Sequence, residues 1–197
     1  VAYYPFNGNA NDESGNNNNG TVNGATLTKD RFGNLDKAYV FDGQNDNIAV
    51  AQSHDYQERT TNIWVYNSNY NALTQNDTRL AFDNDHNSMN HGLVQVGGHN
   101  NIIGFGQGGS SNQIQNAIMD NWYMITIVRT SLQSHFYVNG LLDSTTQSGT
   151  QTSVWTNYVG FKIGSRINNT RLWNGKIDDL GIWNRALTAQ EIQQLYS

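Results

Sequence analysis

The apolar residues of this chain fall in short runs punctuated by Gly, Asn and Asp, and that rhythm constrains the fold more than any other feature. Ala38-Tyr39-Val40-Phe41, Ile48-Ala49-Val50, Ile63-Trp64-Val65-Tyr66 and Leu80-Ala81-Phe82 are early examples. Leu93-Val94-Gln95-Val96, Trp122 to Val128, His135 to Val138, Val159 to Ile163 and Ile177 to Trp183 continue the pattern. Many short strands with turn residues between them indicate a sandwich or barrel. Asn139-Gly140, between Phe136-Tyr137-Val138 and Leu141-Leu142, reads as a type I′ hairpin, because both turn positions require positive φ. No linker, repeat or shift in composition divides the 197 residues, so residues 1–197 read as one domain.

One helix stands out, at the C-terminal end. Thr188-Ala189-Gln190-Glu191 has the form of a capping box, with Leu187 and Ile192 placed as its hydrophobic staple and Leu195 extending the apolar stripe. It reads as a structural clasp. The run Asn16-Asn17-Asn18-Asn19-Gly20 reads as a tight loop, since strand-like residues flank it and Asp12 and Ser14 offer local hydrogen bonds.

Composition removes several classes of function. A net charge of −5 and the lack of a basic, aromatic-studded patch argue against nucleic acid. No apolar run approaches the roughly 20 residues of a membrane span, so membrane insertion is not expected. Val1-Ala2-Tyr3-Tyr4 reads as structure rather than as a leader, and the absence of cysteine fits a reducing compartment or a disulfide-free secreted bacterial protein equally.

The ends of the chain carry a more specific signature. The opening Val1-Ala2-Tyr3-Tyr4-Pro5-Phe6-Asn7-Gly8, Asp12-Glu13-Ser14-Gly15-Asn16 and Asn19-Gly20-Thr21 resemble the start of laminin-G-like modules of the concanavalin A-like lectin/glucanase superfamily. Phe41-Asp42-Gly43, the Trp-led run Trp122-Tyr123-Met124-Ile125 and the close from Trp173-Asn174-Gly175-Lys176 to Asn184-Arg185-Ala186-Leu187 are similar to the same family. Residues 67 to 120 match it only loosely. The resemblance implies an all-β fold, a two-sheet antiparallel jelly-roll sandwich with one short C-terminal helix. It also assigns Trp64, Trp122, Trp173 and Trp183 to the core or its rim. It does not specify the ligand, because this fold serves lectins, carbohydrate-binding modules, adhesion domains and enzymes.

The resemblance further implies a structural Ca²⁺ between the N-terminal loop and the last strand, with Asp12, Asn17 and Asp178 as ligands. Calcium takes six to eight oxygens, and the Asp12 loop is dense in them. Period-2 alternation places Asp178 on the face of Leu180 and Ile182. If that is the core face, the carboxylate needs a partner: a cation, or backbone amides of the N-terminal loop.

No catalytic residues are expected. Glycosidases need two carboxylates flanking the scissile bond, but Glu13, Glu58 and Glu191 read as loop, turn and helix, and Asp83-Asn84-Asp85-His86-Asn87 reads as a turn. His86, His91 and His99 do not have zinc-site spacing.

Sugar recognition is the better candidate. Binding residues concentrate on variable loops of such folds, and residues 77 to 101 depart most from the family. They carry Arg79, Asp83, His86, His91 and His99, which Arg166 on another apparent strand would join. Trp155 and Tyr158 lie between strands where the family pattern has no call for aromatics, and form the candidate stacking platform. The expectation is a non-catalytic carbohydrate-binding module of a larger, secreted or cell-surface bacterial protein. Its partners would be a poly- or oligosaccharide and the other domains of the parent. The alternatives are a protein-adhesion domain and, behind it, a polysaccharide lyase or glycoside hydrolase.

Overall fold

A computed structural model describes residues 2–52, 58–68, 78–83, 95–97, 102–107, 110–114, 120–147 and 160–197. The strands are β1 (Ala2–Tyr4), β2 (Thr21–Asn23), β3 (Thr26–Thr28), β4 (Ala38–Asp42), β5 (Asn47–Val50), β6 (Arg59–Asn67), β7 (Thr78–Leu80) and β8 (Phe82–Asp83). They continue as β9 (Gln95–Gly97), β10 (Ile102–Gln107), β11 (Ser110–Ile114), β12 (Trp122–Arg129), β13 (Gln133–Val138), β14 (Leu141–Gln147), β15 (Phe161–Ile163) and β16 (Asn174–Trp183). A single helix among the described residues, α1 (Ala189–Tyr196), ends the chain.

The principal sheet runs β14-β13-β12-β6-β16-β4-β3, with β1 added beside the C-terminal half of β16. A four-stranded sheet, β2-β5-β15-β8, lies against it, and β11-β10-β9-β7 form a third. All described pairings are antiparallel. The core lies between the first two sheets. Ile63, Val65, Ile125 and Ile177 from one meet Ile48, Phe82, Phe161 and Ile163 from the other, with Trp173 wholly buried among them. The all-β, two-sheet sandwich expected from the sequence is therefore present.

Period 2 in β6 and β12 sends the alternate residues to the opposite face of the principal sheet. There Trp64, Met124, Val128 and Tyr137 form a second cluster with Leu187 and Ile192. This explains why every residue from Tyr123 to Arg129 is buried: one face is closed by the second sheet and the other by α1. Helix α1 starts as its sequence dictates, with Thr188 accepting from the Glu191 N–H and Glu191 reaching back to the Thr188 N–H. The β13–β14 turn has Asn139 at φ 50° and Gly140 at φ 80°, the left-handed pair that Asn-Gly supplies.

Three local readings change. Leu80-Ala81-Phe82 is not one strand, since Ala81 separates β7 from β8. Asp83, expected in a turn, ends β8 opposite Lys162. Arg166, expected on a strand, lies in a turn closed by its own N–H donating to the Thr170 carbonyl.

Candidate functional site

On the outer face of the principal sheet, residues in register make a row across four strands. Tyr3 of β1 lies opposite Gly181 of β16, Gly181 opposite Asn62 of β6, and Asn62 opposite Thr126 of β12. Tyr3 and Asn62 of this row line a cleft of about 540 Å³ walled by Trp64, Trp183, Arg31 and the helix residues Gln194 and Leu195. That size falls within the range of small-ligand pockets.

The cleft depends on a β-bulge. The β16–β6 register shifts between Asp178 and Gly181, and Asp179 adopts φ 44°. Period-2 counting from Leu180 and Ile182 therefore fails for Asp178. Its register partner is Trp64, so Asp178 shares the outer face with the second cluster, whereas Leu180 and Ile182 face the core. The extra residue places both carboxylates where one cation reaches them. Arg31 Nη1 donates to Asp178 Oδ2 at 3.0 Å and to Asp179 Oδ2 at 2.7 Å. Asp178 Oδ1 accepts the Asp179 N–H at 2.9 Å, and Tyr3 Oη donates to Asp179 Oδ1 at 3.0 Å.

Only one of the two acids faces solvent appreciably, with side-chain exposures of 3% for Asp178 and 24% for Asp179. Burial, reinforced by the Asp179 charge, pushes the Asp178 carboxyl up to about 7 against the opposing pull of Arg31. Burial and the Asp179 carboxylate likewise raise the Tyr3 phenol well above its ordinary range.

The aromatic walls differ. Trp64 is buried by its neighbours: Tyr196 stacks on it at 5.7 Å and 13°, and the Arg31 guanidinium lies 4.3 Å from its ring centroid. Trp183 is half-buried and lies against Gly181, where a β-carbon would stand 2.4 Å from Trp183 Cη2. Glycine is what lets the indole settle onto the sheet. Phe32, beside the cleft, is 74% exposed with the Arg31 guanidinium 4.5 Å from its centroid. On the floor, the Asn62 amide oxygen accepts from Thr126 Oγ1 at 2.6 Å.

The N-terminal loop is the tight loop its asparagines suggest. Asp12 Oδ1 accepts the N–H groups of Tyr3 and Ser14, and Asp12 Oδ2 accepts the backbone and side-chain N–H of Asn18. Asn19 Oδ1 in turn accepts the Asp12 N–H, and the Tyr4 hydroxyl donates to the Asn18 carbonyl. Burial alone would raise the Asp12 carboxyl, but hydrogen bonds from Ser14, Tyr3 and Asn18 hold it at about 2. Asn17 is exposed at φ 58°.

These residues do not fit a calcium ion shared by Asp12, Asn17 and Asp178. N–H donors approach both Asp12 oxygens, and the charge of Asp178 is met by a guanidinium. Among the described residues, no group of three His, Asp or Glu side chains converges.

Of the sugar-site candidates, His86, His91, His99, Trp155 and Tyr158 lie outside the described residues, as does the Asp83 side chain. Arg79 is on β7 and Arg166 in the turn after β15; neither lines the cleft. Trp64 and Trp173 are buried and Trp122 and Trp183 pack partly buried against the second cluster, the core or rim positions implied for all four; Trp64 and Trp183 also line the cleft. Arg31, Asn62, Asp179 and Gly181 escaped the sequence reading. The signals available were the Asp-Asp doublet as a bulge marker and a glycine two residues before a tryptophan on the same strand face.

The chain is similar to solved sandwich domains along its full length. Domain 4 of AbnA, an extracellular arabinanase from Geobacillus stearothermophilus solved in complex with arabinotriose, is 20% identical with a TM-score of 0.72, over 100% of this chain and 97% of that one. The botulinum neurotoxin type G receptor-binding domain is 19% identical with a TM-score of 0.74. The serotype D ligand-binding domain, solved with N-acetylneuraminic acid, is 15% identical with a TM-score of 0.70. Both toxin comparisons cover 100% of this chain and 50% of the other, so the chain spans half of those domains. No curated protein matches the sequence significantly. Residues 42–193 match the Laminin_G_3 family model, and the chain belongs to the concanavalin A-like lectin/glucanase superfamily.

Proposed function

We propose that this chain is a non-catalytic carbohydrate-binding module and that it binds a poly- or oligosaccharide in the cleft beside α1. The observation that carries the reading is the union, on one rigid sheet face, of an indole seated on glycine with hydrogen-bonding groups of both kinds. Trp183 offers a surface for the apolar face of a sugar ring. Asp179 accepts from hydroxyls, while the Asn62 and Gln194 amides can donate to them. The fold likeness to a domain crystallised with arabinotriose supports this reading.

A binding role fits the carboxylates better than a catalytic one. Glycoside hydrolysis needs two reachable carboxyl groups on opposite sides of the bond. Asp178 is too buried to touch a substrate, and Asp178 and Asp179 are held together on one side by the same guanidinium.

We further infer that the module acts outside the cell as part of a larger secreted or surface protein, as the likeness to an extracellular arabinanase domain supports. No helix among the described residues is long and apolar enough to cross a membrane. Protein adhesion is the second reading, favoured by Phe32 and Leu35, exposed at 74% and 69% on one loop.

Electrophoresis of the domain through gels containing single polysaccharides, with parallel assay of new reducing and unsaturated ends, tests the proposal. Retardation by one class of polysaccharide without product is the expected result. Product formation would refute the non-catalytic role, and absence of retardation in every gel would leave adhesion as the better account.

A further inference from the structure

We propose that the cleft selects uncharged oligosaccharides and discriminates against sugars bearing carboxylate or sulfate. The inference rests on the carbohydrate-binding reading of the same cleft and adds the chemical class of its ligand.

Charge around the cleft is lopsided. Arg31 is its one cationic lining residue among those described and Asp179 its one lining carboxylate. Asp178, paired with Arg31, and Asp30, which feels the Arg31 charge, add two more carboxylates around the guanidinium. Arg31 Nη1 is already shared between Asp178 and Asp179, at 3.0 and 2.7 Å. The Asp30 and Asp179 charges both act on Asp178, raising its carboxyl. Even with one of these acids protonated, the fixed charge is negative. The guanidinium is also held over two rings, with centroids 4.5 and 4.3 Å away on Phe32 and Trp64. Swinging out to meet a ligand carboxylate would break both ion pairs and leave Asp178 buried without its cation.

An acidic sugar entering the cleft therefore meets the Asp179 carboxylate, and like charges brought together in a partly desolvated site are strongly disfavoured. A neutral sugar meets the opposite situation. Its hydroxyls donate to Asp179, accept from the Asn62 amide nitrogen, and place an apolar ring face on Trp183. The open face of Phe32 extends the aromatic surface beyond the rim, where a second ring of a chain would stack.

The decisive experiment is a glycan array of paired ligands: neutral arabino-, xylo-, gluco-, manno- and galacto-oligosaccharides beside their uronic acid, sulfated or sialylated counterparts, each read at low and high salt. Hits are expected in the neutral series, with the acidic partner of each hit at least tenfold weaker and the gap narrowing as salt screens the repulsion. Asp179→Asn should narrow the gap at low salt. Phe32→Ala, at an exposed position where folding is undisturbed, should weaken binding of longer neutral chains several-fold. Equal or stronger binding of the acidic partners, or a gap unchanged in Asp179→Asn, would overturn the selectivity while leaving carbohydrate binding intact. No hit in either series would overturn both.

Discussion

A β-carbon at position 181 would sit 2.4 Å from the Trp183 ring, so Gly181→Ala must lift the indole off the sheet. The expected cost is about 1–3 kcal/mol of stability, as for other overpacked sites, read from the denaturant midpoint, with loss of any ligand that stacks on Trp183. Two aspartates give opposite pH responses. Asp12 is held at about 2, below its unfolded value of 3.8, so its contribution is complete above pH 4 and disappears as pH falls toward 2. Asp178 is raised to about 7, so the folded state binds its proton more tightly than the unfolded chain does. Stability from this site is therefore highest below pH 4 and declines as pH rises through 7. Denaturation midpoints of wild type and Asp178→Asn across pH 3 to 8 would separate the two, since the variant should lose the decline above pH 4 and keep the acid limb. At this scale the sequence was legible for the local hydrogen bonding of Asp12, though not for the ligand role expected of it, and for the buried Trp173, whose position is strongly patterned. It was silent on Arg31, whose acidic partners lie 147 and 148 residues away, because nothing in a local window reports a tertiary ion pair.

Among the elements, α1 was the most legible, because capping is encoded within four consecutive residues. Its role was less so: the helix closes the outer face over Met124 and Val128 and also forms one wall of the cleft. Thr188→Ala removes the cap from the Glu191 N–H and should cost about 1 kcal/mol, measured by thermal or chemical unfolding. The same variant should weaken ligand binding modestly, because a frayed first turn loosens the placement of Gln194 and Leu195. Strand β16 was the most deceptive element. Alternation identifies faces only where register is unbroken, and the bulge at Asp178-Asp179 moves Asp178 to the face opposite Leu180 and Ile182. A doublet of charged residues inside an otherwise apolar strand was the available warning, since bulges redirect side chains in this way.

For the whole molecule, the sandwich could be read from short alternating runs and turn residues, which report which face is buried. Strand order could not be read in the same way, because β6 pairs with β12 and β16, far away in the chain, and only the assembled sheet places Tyr3, Gly181 and Asn62 in one row. That row is why the cleft appeared where no single segment announced it. The closed hydrogen-bonding of Asp12 and the guanidinium beside Asp178 also make a whole-molecule prediction. Calcium and EDTA should leave the melting temperature within about 1 °C of each other; by the linkage relation, a rise of several degrees with calcium would show a cation bound to the folded state.

The most direct test of the central claim compares wild type with Trp183→Ala in polysaccharide affinity electrophoresis, with melting temperatures confirming that both are folded. Retardation of the wild type by a neutral polysaccharide, without product and lost in the folded variant, is the predicted result. Undiminished retardation of the variant would place the ligand away from the cleft and contradict the account.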